Sequence, residues 1–335
     1  MKGEFIVHTD KKWCAVLAGL TVLGSTAVAW AAPTEVTATP DQAVEAALEA
    51  MEQTKTQPAP KPDTTAKPEA AAKSQAYMGL TSVQYGKNRT GRDSYTDVKS
   101  FSMMAAGVRR LELSNGALLN AIVFEGGDYA ADNVGKNGLR SHLKSSYAGA
   151  GWFSRRLLKN GSYYQGFVDG GQIYRRYKWD NMNVMDPHDD EFMYLGLHLG
   201  LGKNTKLTKH TNLDVYGKYF YTYHAGHDYM MRGHHIEVEN VSSNRFVIGA
   251  RWKHRLGRTA SYYAGAAVNR ACAAAQKTRR DGVEQLTSAK YETYGMFELG
   301  TSLSNSRGLT VDLTVREYAG TKRGTEGQAR FIWAF

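Results

Sequence analysis

The sequence predicts an all-β fold: a transmembrane up-and-down antiparallel β-barrel of about twelve strands, preceded by a short N-terminal helix and linker. Three observations predict it. The chain closes on Ala329-Arg330-Phe331-Ile332-Trp333-Ala334-Phe335, and alternation along a strand puts Phe331, Trp333 and Phe335 on one face. In an open sheet that face and its unpaired edge would invite aggregation; in a barrel the last strand pairs with the first, near Tyr77, and the aromatics meet lipid. The connections between strand-like runs alternate short and long. Several runs also alternate apolar and polar residues with period two.

Composition agrees with a barrel and excludes other classes. Hydrophobic residues make up 42% of 335, Gly (34) and Tyr (20) are abundant, Pro is scarce (7), and mean hydropathy is −0.47. That value excludes a bundle of apolar spanning helices but suits strands that average a lipid face with a wet one. The net charge of +10 would suit nucleic acid. Lys and Arg are dispersed, however, in pairs no longer than Arg109-Arg110, Arg155-Arg156 and Arg279-Arg280, with no basic helix or base-stacking motif beside them. Nucleic acid is therefore not an expected partner.

Residues 1–31 read as an export signal. Lys11-Lys12 supplies positive charge, Trp13 to Ala29 is uncharged and apolar, and Ala29 and Ala31 place small residues where a signal peptidase reads them. Cleavage there removes Cys14 and leaves Cys272 alone, so no internal disulfide is expected. Residues 32–76 form a second region. Asp41 to Gln53 is a helix candidate with Val44, Ala47, Leu48 and Met51 on one face, and 54–73 is a Pro/Ala/Lys linker.

Residues 77–335 are the barrel domain. Strands are expected at 77–86, 98–112, 116–127, 143–158, 161–177, 191–202, 210–224, 244–256, 260–275, 290–304, 308–319 and 326–335. Tight turns at 113–116, 159–161, 202–206, 256–259 and 305–308 mostly carry Gly, which supplies the positive φ a hairpin needs. Longer polar connections are expected at 87–97, 128–142, 178–190, 225–243 and 276–289, and a shorter one near Gly320 to Thr325. One plain rim and one elaborated rim is the pattern of an up-and-down barrel, with short turns on the periplasmic side.

Phe246, Ile248, Ala250 and Trp252 alternate with Arg245, Arg251 and Lys253. Leu309, Val311, Leu313 and Val315 alternate with Asp312 and Arg316. Leu213, Val215, Tyr219, Tyr221 and Tyr223 oppose Asp214 and Lys218, and Phe297 and Leu299 oppose Glu298. Alternation is poor over 116–127 and 161–177. Trp152, Tyr163, Tyr164, Tyr174, Tyr177, Trp179, Tyr262 and Tyr263 are expected in aromatic belts at the bilayer interfaces. Arg245, Arg251, Lys253, Arg316 and Arg330 against Asp214, Glu298 and Asp312 are expected to line the lumen, pairing across it or gripping an inner helix.

Asp186-Pro187-His188-Asp189-Asp190, His227-Asp228, Ser242 and Ser243 are the residues a surface hydrolase would use. His224, His227, His234 and His235 crowd one connection and suit a metal by chemistry, but their spacing fits no known ligand pattern. No phosphate loop, Cys pair or dinucleotide fingerprint is present, and neither cofactor nor metal is expected.

The count of strands, the basic hairpin Phe246–Val268, the helix-prone segment before the first strand and the terminal Phe335 together resemble the C-terminal translocator domain of bacterial autotransporters. The resemblance covers 77–335. It implies an outer-membrane location, outer-membrane lipid, secretion and barrel-assembly machinery as partners, and a helix in the lumen, here the chain's own N-terminal segment as a plug. The usual outer-membrane assembly pattern has Gly about five residues before the last aromatic; this chain has Arg330 there, and its nearest Gly is Gly327. Only about 45 residues would separate cleavage from barrel, so little or no passenger is expected. The expected function is a translocator or surface anchor. A small porin-like channel or structural protein is the alternative, and an outer-membrane hydrolase is a further one.

Overall fold

A computed structural model describes residues 75–334 apart from short stretches at 92–93, 136–139, 180–187, 232–233, 258, 274–276, 287–289 and 306–307. Ala29 and Ala31, the 41–53 helix, the 54–73 linker, Asp186, Pro187 and Phe335 lie outside the described residues.

Among the described residues sixteen strands follow one another. They are β1 (Gln75–Gly91), β2 (Tyr95–Leu113), β3 (Gly116–Val134), β4 (Arg140–Leu158), β5 (Ser162–Trp179), β6 (His188–Lys206), β7 (Thr211–His224), β8 (His227–Met231), β9 (His234–Val238), β10 (Val241–Leu256), β11 (Ala260–Ala273), β12 (Lys277–Arg280), β13 (Val283–Leu286), β14 (Lys290–Ser304), β15 (Leu309–Gly320) and β16 (Lys322–Ala334). Twelve of them close into an antiparallel barrel in the order β1–β7, β10, β11, β14, β15, β16. The seam is a continuous ladder from Met78 opposite Ala334 to Thr90 opposite Lys322. Full pairing leaves no edge on the barrel.

Each barrel strand of the sequence reading is present, but most are longer. Their 12 to 19 residues exceed the roughly 9–11 that cross a bilayer. Most of 87–97 and 128–142, expected as loops, is strand. Over 87–97 both faces are polar, with Thr96 inward and Arg89 and Asp97 paired on the outside, and over 128–142 Asp128, Asp132 and Asn133 mask the inward Tyr129 and Ala131. The turn expected at 202–206 is also strand, and the chain reverses at 207–210. Only Thr321 separates β15 from β16. Tight turns sit where Gly takes positive φ, as at Gly161 (+83°), with Asn160 Oδ1 accepting from the Ser162 amide at 3.0 Å.

The larger correction concerns 225–243 and 276–289. They hold β8, β9, β12 and β13, which form a separate four-stranded sheet in the order β13-β12-β9-β8. The segments are four or five residues long, too short for a period-two pattern to stand out.

Outward side chains form an apolar belt around the barrel. It includes Val83, Met103, Phe124, Trp152, Val168, Leu195, Val215, Ile248 (71% exposed), Val268, Leu299 (67% exposed), Val315 and Phe331. Soluble proteins do not expose so extended an apolar surface, and lipid is its natural solvent. Trp152, Tyr164, Tyr174 and Tyr262 face outward as the aromatic-belt reading requires, but Tyr163 and Tyr263 are buried and face the lumen. Neighbouring residues on a strand face opposite ways, so Tyr163-Tyr164 and Tyr262-Tyr263 can each give only one ring to lipid.

Candidate functional site

The lumen is lined asymmetrically in the half nearest the short turns. One arc, on β16 and β1–β5, is apolar: Met78, Leu80, Met104, Val108, Leu119, Ala121, Val123, Phe153, Phe167 and Ile332 pack as one cluster. The other arc, on β7 to β16, carries most of the charges and hydrogen bonds, together with a second buried cluster of Tyr216, Phe220, Val247, Ala267 and Met296; Arg155, bonded to Gln165 at 2.7 Å, adds a polar pair on the β4–β5 side. The apolar arc explains the poor alternation of 116–127: its inward face is apolar because that wall of the lumen is apolar.

The charged arc is a continuous network. Arg251 Nε donates to Glu298 Oε1 at 2.5 Å, and Arg316 Nε lies 3.6 Å from Glu298 Oε2. Arg316 also donates to Gln328 at 2.8 Å. Gln328 in turn donates across the seam to Ser82 at 3.0 Å. Asp312 accepts from Arg330, from Ser302 at 2.5 Å and from Tyr263 at 3.0 Å. Asp214 accepts from Tyr163 at 3.0 Å. Arg245 lies over the Phe220 ring at 4.2 Å, and the Lys253 amine lies 5.9 Å from the centre of the Tyr263 ring. All eight charged residues singled out for the lumen thus face inward. Arg330, which stands where the resemblance would place Gly, is buried against Asp312.

Sequence reasoning missed Glu326. It accepts from Tyr318 at 2.7 Å, from Asn88 at 3.1 Å and from Gln84 at 3.3 Å, joining β15 and β16 to β1. Its signal was available, since Glu326, Gln328 and Arg330 alternate with Thr325, Gly327 and Ala329. Glu125, Asp169 and Tyr194 were also missed. Tyr194 donates to Glu125 at 2.7 Å by lying across Gly149, whose missing side chain makes room for the ring.

The small sheet packs into the outer half of the lumen against β2–β6. Ile236 and Val238 of β9 bury themselves among Val98, Tyr129, Leu143, Tyr147, Ile173 and Phe192. Beside them Arg175 makes a two-point pair with Asp190, with Nε–Oδ1 at 3.0 Å and Nη2–Oδ2 at 2.7 Å. His227 Nε2 lies 2.9 Å from Asp190 Oδ2, and its ring stacks on Phe192 at 5.0 Å. The sequence paired His227 with Asp228. The structure sends them to opposite sides of β8: His227 is buried on Asp190, while exposed Asp228 lies 3.7 Å from His235. His234 lies 2.5 Å from Asp281, and His224 packs edge-on against Phe192 at 5.7 Å. His224 and His227 share the Phe192 ring while His234 and His235 turn to Asp281 and Asp228, and among the described residues no three His, Cys, Asp or Glu gather to hold a metal. Asp189 leaves its sequence neighbour and pairs outside with Arg176 at 2.7 Å.

Asp190 sits beyond the apolar belt, and its titration tests this latch. Burial alone would raise the carboxyl; the bond to His227 and the Arg175 guanidinium outweigh it and hold Asp190 below its ordinary value. A depressed carboxylate stabilises the fold above its unfolded pKa of about 3.9, and that stability is lost as pH falls through the folded value. Amide exchange of β8, corrected for intrinsic rates, is expected to be slow at pH 5 and 7 and to accelerate well below pH 4. Asp190→Asn is expected to show the fast exchange already at pH 7; slow exchange in that variant would show that apolar packing alone holds the sheet.

No family model and no curated protein sequence matches the chain. Solved structures do match. The β domain of the Bordetella autotransporter BrkA is 12% identical, with a TM-score of 0.61 over 78% of this chain and 100% of that one. The translocator domain of the autotransporter NalP from Neisseria meningitidis is 10% identical, with a TM-score of 0.65 over 93% of this chain and 97% of that one. The transport unit of the autotransporter AIDA-I from Escherichia coli is 12% identical, with a TM-score of 0.56 over 85% and 97%. The described residues form a closed twelve-stranded barrel with the fold of autotransporter translocator domains.

Proposed function

We propose that the chain is an outer-membrane barrel that serves as a translocator or surface anchor, with its own N-terminal segment held in the lumen. The observation that carries this reading is the two-sided lumen. A water-filled pore has no use for an apolar wall, whereas an amphipathic segment requires an apolar surface facing a polar one. The 41–53 stretch, a helix candidate from its sequence, has the matching pattern: Val44, Ala47, Leu48 and Met51 suit the β1–β5 arc, while Glu45, Glu49 and Glu52 suit the arginine-bearing arc. Thirteen residues of helix span about 20 Å, enough to fill the half of the lumen that carries both arcs. Secretion and barrel-assembly machinery would deliver the chain, and the short-turn rim would face the periplasm.

Planar-bilayer conductance tests the reading. The full-length chain is expected to conduct little. Deleting residues 32–76 is expected to produce a larger unit conductance, limited by the sheet at the outer mouth. Large conductance from the full-length protein would support the porin-like alternative instead, a reading to which the likeness to a 10%-identical outer-membrane channel from Pseudomonas putida, with a TM-score of 0.50, lends support.

A further inference from the structure

We infer that the outer wall of β1–β6 carries a binding site for a phosphate-bearing lipid of the outer leaflet. The site is a groove of about 790 Å³ on the lipid side of the barrel, at the upper margin of the apolar belt. One cross-strand row runs Lys87–Lys99–Ala130–Lys144–Arg176, each residue directly opposite the next on adjacent strands. Ala130 forms a low floor between Lys99 and Lys144. Two like-charged pairs, Lys87 with Lys99 and Lys144 with Arg176, therefore stand face to face, an arrangement that costs stability in an isolated sheet.

Arg176 is partly neutralised by Asp189, which it holds at 2.7 Å. Among the described residues no ion pair joins Lys87, Lys99 or Lys144 to a carboxylate. Asp128 and Glu191 also line the groove, one row nearer the belt, and set its lower edge. An anion seated over Ala130 would relieve the repulsion, since two ammonium groups about 10 Å apart across two strand spacings can both reach it.

The rows beneath identify the rest of the ligand. Tyr85 stands opposite Phe101, and Tyr174 ends the same row beyond Asp128 and Ser146. Below that, Val83 opposite Met103 and then Phe124 and Trp152 continue down the belt. A phosphate above, aromatics at the interface and an aliphatic track below match an acylated phosphate-bearing headgroup, not a free anion. This site rests on the membrane orientation given above.

Full-length protein, reconstituted in phosphatidylcholine nanodiscs, tests it by native mass spectrometry. The probes are diphosphoryl lipid A, its dephosphorylated form and inorganic phosphate. The phosphorylated lipid is expected to stay bound at least about tenfold more tightly than the dephosphorylated one, and Lys99→Glu with Lys144→Glu is expected to abolish that preference. Lys99→Gln with Lys144→Gln, a milder change, should weaken it in the same direction. Lys203→Glu with Lys206→Glu, the same charge change at the opposite rim, should leave it intact. Equal retention of both lipids, an unaffected double variant, or displacement by millimolar inorganic phosphate would overturn the site. Failure to insert into the nanodisc would overturn the barrel reading with it; insertion without phosphate preference overturns the lipid site alone.

Discussion

Glu298→Ala is expected to cost the barrel about 3–5 kcal/mol, because it strands buried Arg251 and takes from buried Arg316 the nearer of its two carboxylates, Glu326 remaining at 3.9 Å. Arg251 and Arg316 both face Glu298, and all three side chains are nearly sealed from solvent. Arg316 keeps Gln328, and Arg251 keeps the face of Tyr263 at 5.2 Å, so the loss should fall toward the lower end of that range. The measurement is the urea midpoint of unfolding in detergent micelles, followed by the loss of heat-modifiable migration. Replacing Glu298, Arg251 and Arg316 together by Leu, Met and Leu should recover most of the stability, since removing a whole buried ionic group is far less damaging than halving it. An unchanged midpoint in the single variant would mean that the lumen is wet at this depth, which would favour a channel over a plugged barrel.

The barrel was legible in the sequence because its signals are long and redundant. Phe246 to Lys253 and Leu309 to Arg316 alternate over whole strands, and each repeats the same statement about which side is lipid. The lumen charges were legible for the same reason, since a charged residue between two lipid-facing ones has only one direction to go. What stayed hidden was whatever broke the assumption of a polar interior. Leu119, Ala121 and Val123 are apolar and inward, so β3 is apolar on both faces and shows no period. In β5, Phe167 and Ile173 face in while Gly166 and Gly170 face out, and the polarity of the two faces nearly cancels. The outer-mouth latch was hidden differently. Arg175, Asp190 and His227 come from three strands, and the fold alone brings them within 3.1 Å of one another. Sequence proximity suggested His227 with Asp228 and was misleading, because adjacent residues on a strand point apart.

Gly300→Ala is expected to destabilise the barrel by about 2–4 kcal/mol, although Gly to Ala is normally a mild change in a strand. Gly300 stands directly opposite Tyr263, and the Tyr263 ring passes so close over it that a methyl group would overlap the ring itself. Tyr263 cannot swing away freely. Its hydroxyl donates to Asp312 at 3.0 Å and accepts from Arg330 at 3.1 Å, tying β11 to β15 and β16 across β14. Displacing the ring therefore loosens the buried Asp312–Arg330 pair that braces the strand beside the seam. A double-mutant cycle separates this from a simple backbone effect: with Tyr263→Ala already in place, Gly300→Ala should cost little, leaving a coupling of about 1–3 kcal/mol. Full additivity would show that the glycine serves only the backbone. The arrangement repeats, with Tyr163 over Gly202 and Tyr216 over Gly249, each on directly paired residues of adjacent strands. Glycine at these inward positions is thus the seat that lets a tyrosine lie along the wall and carry its hydroxyl to a neighbouring strand. Tyr163 reaches Asp214 at 3.0 Å in just this way. Loss of Gly202 should accordingly weaken the β5–β7 wall through Asp214, with the same dependence on its tyrosine.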